Sequence, residues 1–352
     1  MTPDQLIRRS LEIIASIWMV EPDQTVWHDD GFDWTPGSHL VRVRGSRPEN
    51  PRQDRVRISV RTDLLQDVPL DDPKLRRSMS MSFGYGSSTY AMVYAPPEFH
   101  ERFGRTRTDW LWTASTCYVN AQTLDWAPRF FAQMALMQPI DAEIRARGLA
   151  DIFGGSPLFA TGVKLDQHDE ILEVANLIYA PAGAEPSRWM GSEEFASFAE
   201  IYGRSDLCFA TAQTEQLTAE VPFGNQSALI ELRADKAHPQ LKAGLLVFLC
   251  LPHRTNRDDA SELAAELNLM EAALWTDFPL LGCWHIWEPG DGQVFVAHST
   301  FIPNALYGLG LATQLAMWAT ARAFYVRRML WPDLQDLTMK EILELRFKGA
   351  PH

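Results

Sequence analysis

Apolar side chains recur at Leu6, Ile7, Leu11, Ile14 and Trp18, the spacing of a single stripe on a helix, and Pro22 blocks its continuation. Trp34-Thr35-Pro36-Gly37-Ser38 has the composition of a turn. After it the period shortens to two. In HLVRVRG, Val41 and Val43 face one way while Arg42 and Arg44 face the other. In RVRISVRT, Val56, Ile58 and Val60 alternate with Arg55, Arg57, Ser59 and Arg61. The polar GSRPENPRQD between them is long for a hairpin and is expected as a loop. STYAMVYA and WLWTASTCYV predict two further strands. TLDWAPRFFAQMALMQPIDAEIRARG predicts a helix that Pro139 kinks or splits.

Residues 151–180 read as a connection carrying one helix, HDEILEVANLIY, and Ala180–Pro186 has linker composition. A short helix is expected at Glu193–Tyr202. Strands are then expected at SALIELRAD, GLLVFLCLP, GCWHIWEP and QVFVAHSTFI, with the helix DDASELAAELNLMEAALW between the second and third. Helical patterns close the chain at Leu306–Leu330 and Asp333–Phe347. The boundaries that follow are a first module at 1–150, a connector at 151–190 and a second module at 191–352.

The halves repeat one another. Ser115-Thr116-Cys117-Tyr118-Val119-Asn120-Ala121 matches Ser299-Thr300-Phe301-Ile302-Pro303-Asn304-Ala305. Tyr90–Pro96 parallels Cys283–Pro289, and Val41–Arg44 parallels Ile230–Arg233, all in the same order along the chain. The expected fold is therefore α+β: two tandem modules, each a mainly antiparallel sheet backed by helices.

This order of elements resembles the type III secretion chaperone-like superfamily, including YbjN-like proteins. The resemblance is carried by Leu267, Asn268 and Glu271 of ELAAELNLMEAALW, by the strand pair GCWHIWEP and QVFVAHSTFIPNALY, and by the long helix after them. The first module departs from it at DPKLRRSMSMSFGYGSS, a poorer helix. The resemblance implies a non-enzymatic module that binds extended segments of a client protein or peptide. In a tandem copy it implies a pseudo-dimer within one chain.

Composition narrows the field further. Over 352 residues, 46% are apolar and 22% charged, the balance of a folded globular chain. The net charge of −13 is uneven: −1 over residues 1–150 and −12 over the rest, which argues against nucleic acid as a partner. No apolar run is long enough for a membrane span. Cys117, Cys208, Cys250 and Cys283 are scattered through apolar segments, as in a reduced cytoplasmic protein.

No catalytic or cofactor motif stands out, and no cofactor is expected. Gly308–Thr313 lacks the third glycine of a dinucleotide loop, and Gly84–Ser88 lacks a phosphate-loop lysine and reads as a turn. His28-Asp29-Asp30 and His168-Asp169-Glu170 read as loops or helix caps. Cys250, His253, Cys283 and His285 are a weak zinc set, and a zinc-dependent hydrolase is the enzyme alternative. The candidate binding surface is Arg42, Arg44, Arg55, Arg57 and Arg61 on one strand face, with Trp34 in the neighbouring turn. Such a face suits docking onto the acidic second module or onto an acidic partner. The other non-enzymatic alternative is a structural subunit of a larger bacterial complex whose acidic half faces a basic partner.

Overall fold

The structure, a computed structural model, describes residues 1–48, 54–69, 72–86, 89–94, 110–160, 185–197, 209–212, 215–223, 226–238, 241–252, 256–274, 276, 278–290, 292–307 and 311–330. The fold is α+β, with two antiparallel sheets backed by helices. The chain divides into two compact units, Met1–Ala182 with Thr255–Val296, and Gly183–Arg254 with Ala297–His352.

The first unit opens with α1 (Pro3–Ile17). Thr2 caps it: the Thr2 hydroxyl accepts from the Gln5 amide while the Gln5 side chain accepts from the Thr2 amide at 2.8 Å. The predicted stripe is buried at Leu6, Ile7, Leu11 and Ile14. Strands β1 (Thr25–His28), β2 (Gly31–Trp34), β3 (Val41–Ser46), β4 (Arg55–Gln66), β5 (Ala91–Val93) and β6 (Leu111–Asn120) form a sheet of order β1-β2-β3-β4-β6-β5, and β7 (Ser156–Pro157) pairs with the end of β4. Val41, Val43, Val56, Ile58 and Val60 turn to the side covered by α1 and are buried. Gly45 lets β3 pass close beneath that helix, where a Cβ would stand 2.3 Å from Ile7 Cγ2.

The helix after β6 divides at Leu136 into α3 (Ala127–Ala135) and α4 (Met137–Phe153). Pro139 lies in the first turn of α4, where its missing amide breaks no bond, so the split falls just upstream. The insert between β4 and β5 forms α2 (Pro73–Gly86). Gly84 and Gly86 therefore end a helix rather than make the expected turn.

The rest of this unit comes from the second half of the chain: α5 (Arg257–Ala273) and β12 (Cys283–Trp287). Asn256 caps α5, its side chain accepting from the amides of Asp258 and Asp259 at 2.9 and 3.0 Å. Helix α5 packs on α2, β5, β6 and β12, and α2 packs on β12. The sequence pattern places 191–352 in one module, whereas Thr255–Val296 falls in the first compact unit. Local periodicity identifies these elements but cannot say which distant elements they pack against.

The second unit holds β8 (Phe209–Ala212), β9 (Gln216–Phe223), β10 (Gln226–Arg233), β11 (Gly244–Cys250) and β13 (Phe295–Pro303), whose last seven residues belong to it. These strands run β8-β9-β10-β11-β13 in space. Helix α6 (Leu311–Leu330) packs on β9, β10 and β11. The order matches β1-β2-β3-β4-β6 strand for strand. In chain order, α5 and β12 fall between β11 and β13 as α2 and β5 fall between β4 and β6. The repeated stretches land on equivalent strands, β3 with β10 and β6 with β13, and the repeat at Tyr90–Pro96 and Cys283–Pro289 carries β5 and β12.

HDEILEVANLIY, the linker core at 181–184 and Asp333–Phe347 lie outside the described residues, as does most of Glu193–Tyr202. Among the described residues no helix is long and apolar enough to cross a membrane.

Candidate functional site on the first sheet

Register places the five arginines of β3 and β4 on one face. Arg42 stands opposite Arg61, Arg44 opposite Ser59 and Ser46 opposite Arg57, and side chains two apart on a strand share a side. All five are engaged within the unit. Arg57 is buried and donates to the carbonyls of Glu271 at 3.3 Å and Ala273 at 3.1 Å, and to that of Ala272. These belong to the last turn of α5, where carbonyls lack partners along the helix and carry the negative end of its dipole. Burial lowers the pKa of the Arg57 guanidinium from its ordinary value.

Arg55 donates to the Thr276 carbonyl at 3.1 Å and lies 4.5 Å over the Tyr118 ring. The Tyr118 hydroxyl accepts from the Thr276 amide at 2.7 Å. Thr116 donates its amide to the Leu280 carbonyl at 3.0 Å and accepts from the Leu280 amide at 2.9 Å. Strands β4 and β6 thus bind the end of α5 and the chain leaving it through a set of polar contacts.

Towards the β1 side the same face carries carboxylates. Asp63, almost fully buried, accepts from Arg42 at 2.5 Å and from Arg61 at 2.8 Å, and Arg61 also lies 4.6 Å over Trp112. Arg44 pairs with Asp33 at 2.5 Å and approaches Asp30 at 3.6 Å. The run of arginines read as a basic surface is neutralised by Asp30, Asp33, Asp63 and helix carbonyls. Trp34 is not a turn residue but the end of β2. It lies inward with Phe32 and stacks on Trp18 at 4.9 Å, so it offers no surface. Alternation along β2 sends both aromatics to the core side.

The opposite face carries a polar cluster that patterning missed. Thr113 donates to Gln138 Oε1 at 2.9 Å, and Gln138 Nε2 donates to the Ser115 hydroxyl at 2.6 Å, all buried between β6 and α4. One turn along α4, Asp141 accepts from the Tyr90 hydroxyl, and Arg145 lies 3.6 Å from the same carboxylate. Burial first, then Asp141, pushes the Tyr90 phenol well above its ordinary range, so it stays protonated and donates. Glu143 accepts the amides of Ser38 and His39, and the His39 ring bonds the Asp63 carbonyl at 2.9 Å. Thr113 and Ser115 on an otherwise apolar inward face were the available signal.

Among the described residues the zinc candidates form no metal-binding group. Cys283 is buried, accepting from Asn268 at 3.4 Å and bonding the Trp284 carbonyl at 3.3 Å. His285 is buried against the Ile286 carbonyl at 3.0 Å, and burial lowers its pKa. Burial pushes the Cys250 thiol up to about 12. His253 lies outside the described residues, and among those described no three His, Cys, Asp or Glu side chains stand where they could hold a metal ion. Asn268 instead bonds the Trp284 backbone on both sides, accepting from its amide at 2.8 Å and donating to its carbonyl at 2.9 Å. Glu271 accepts from the Trp284 indole at 2.7 Å. Asn268 and Glu271 therefore tie α5 to β12.

Fold and site together define a tandem α+β protein whose arginine-bearing sheet face is engaged by its own carboxylates and by the end of α5. No protein-family model matches the chain, and no curated protein matches it. Among solved structures it has a likeness to the di-domain ARO/CYC StfQ from the steffimycin biosynthetic pathway, with 11% identity over 98% of this chain and 94% of that one. The TM-score of 0.15 carries no argument about fold or activity.

Proposed function

We propose that this chain is a non-enzymatic, chaperone-like adaptor that binds a client protein or peptide, with two copies of one module joined in tandem in place of a homodimer. The observation that carries the reading is the packing of α2 on α5. These helices are equivalent in chain order, one from each half, and they meet as equivalent helices of two subunits would. The shared strand order and the resemblance of α5 and its flanking strands to secretion-chaperone-like modules support the same reading. Buried free thiols at Cys117, Cys250 and Cys283 fit a reduced, cytoplasmic setting. Diluting a guanidine-unfolded, aggregation-prone protein into buffer with an equimolar amount of this chain tests the proposal by light scattering. The expected result is suppressed scattering. Scattering unchanged at every ratio up to a fivefold excess overturns it.

A further inference from the structure

Strand β1 is an edge of the first sheet, and among the described residues no strand pairs with its outer side. Its hydrogen-bonding phase is set by the ladder. Val26 stands opposite Asp33 and His28 opposite Gly31 across a two-residue turn, and the Thr35 amide donates to the Gln24 carbonyl at 3.0 Å. Antiparallel strands alternate between residues that bond their partner and residues that bond outward. Gln24, Val26 and His28 bond inward, so the amides and carbonyls of Thr25 and Trp27 point out of the sheet. The strand is not blunted by small or charged side chains: Val26 is 60% exposed on one face and Trp27 52% on the other.

Exposed carboxylates bracket this edge, Glu21 and Asp23 before it and Asp29 and Asp30 after it. Asp30 approaches Arg44 at 3.6 Å, whereas among the described residues no cation lies within ion-pair distance of Glu21, Asp23 or Asp29. That charge pattern selects the occupant. Two β1 edges paired antiparallel would set Asp29 and Asp30 of one copy beside Glu21 and Asp23 of the other, and like charges facing across strands are destabilising.

We propose that β1 is a docking edge for an extended segment of a partner protein, apolar at alternate positions and carrying Lys or Arg at both ends. The proposal rests on the client-binding reading above and gives it a site and a client chemistry. The segment adds a strand, its main chain bonding Thr25 and Trp27. Its apolar side chains lie against Val26 on one face and Trp27 on the other, and its end cations meet the four carboxylates.

A fluorescein-labelled peptide alternating valine and threonine, with two lysines at each end, tests this by anisotropy. Hydrogen exchange over residues 20–34 is the second readout, and the double substitution Asp23→Lys, Asp29→Lys is the variant; both positions are exposed, so the fold should persist. The expected results are saturable binding, slowed exchange at Thr25 and Trp27, and at least tenfold weaker binding by the variant. Binding should also weaken as salt rises. Binding without slowed exchange at Thr25 and Trp27 overturns the edge but leaves client binding standing. Failure to bind the peptide by a protein that still suppresses client aggregation also overturns the edge alone, and failure in both assays overturns both. Concentration-dependent dimerisation that protects Thr25 and Trp27 without peptide would show that a second copy takes the edge, and the proposed occupant would be wrong.

Discussion

Strands β4 and β1 lie in one sheet three places apart, and they differ in how far their polar groups are satisfied. The outer face of β4 holds Arg55, Arg57 and Arg61, yet each meets a carbonyl, a carboxylate or an aromatic ring of the same unit. Strand β1 has no unusual composition, yet among the described residues no strand meets its outward main-chain groups, and the side chains of Val26 and Trp27 are more than half exposed. The contrast teaches that charge in a sequence marks a binding surface only where the fold leaves it unpaired. The arginines here serve cohesion, and the modest strand carries the free valence.

The comparison can be broken at several points. Replacing Arg57 with Ala strips the last turn of α5 of its charged donor and leaves buried carbonyls unpaired, which should lower stability in urea by about 2–3 kcal/mol. A loss under about 0.5 kcal/mol would show that β4 does not hold the helix. Asn268→Ala removes both bonds to the Trp284 backbone and should cost about 2 kcal/mol in the same titration.

Acid should weaken the first unit too. His39 and His285 have pKa values lowered by burial, so the folded state keeps them neutral. The stability they contribute is complete above the unfolded histidine value of about 6.5 and is lost as pH falls below it and through the lowered folded values, because the unfolded chain takes up protons the folded one refuses. Urea midpoints at pH 7.5 and 5.5 check this, and the lower pH should give the earlier midpoint. Arg61→Ala removes the more exposed of two guanidinium partners, Arg42 keeps the buried Asp63 paired, and the change should cost only about 0.5 kcal/mol. Val26→Lys, on the open edge, should leave stability within about 0.5 kcal/mol by denaturation while weakening the lysine-flanked peptide by anisotropy. A large stability loss there would mean the edge is already occupied.

Much of the architecture was legible one element at a time. The stripe from Leu6 to Ile14, the alternation of β3 and β4, the break near Pro139 and the repeated Ser-Thr…Asn-Ala segments all appear where their periods place them. Helix α2 was harder to see because its glycines and serines disfavour a helix, and packing on α5 and β12 overrides that preference. Trp34 was misplaced because the turn after it hid the last residue of a strand. Arg57 illustrates the remaining gap, since its partners lie 214 to 216 residues away along the chain.

The sequence alone determined the periods, caps and copies, because side-chain spacing and backbone geometry act over a few neighbouring residues. It also put five guanidinium groups on one face. Only the tertiary structure decided that carboxylates and helix carbonyls would neutralise them, that α5 and β12 would complete the first unit, and that β1 would keep an open edge. Those outcomes depend on which distant groups come together to leave water, and local spacing carries no information about that.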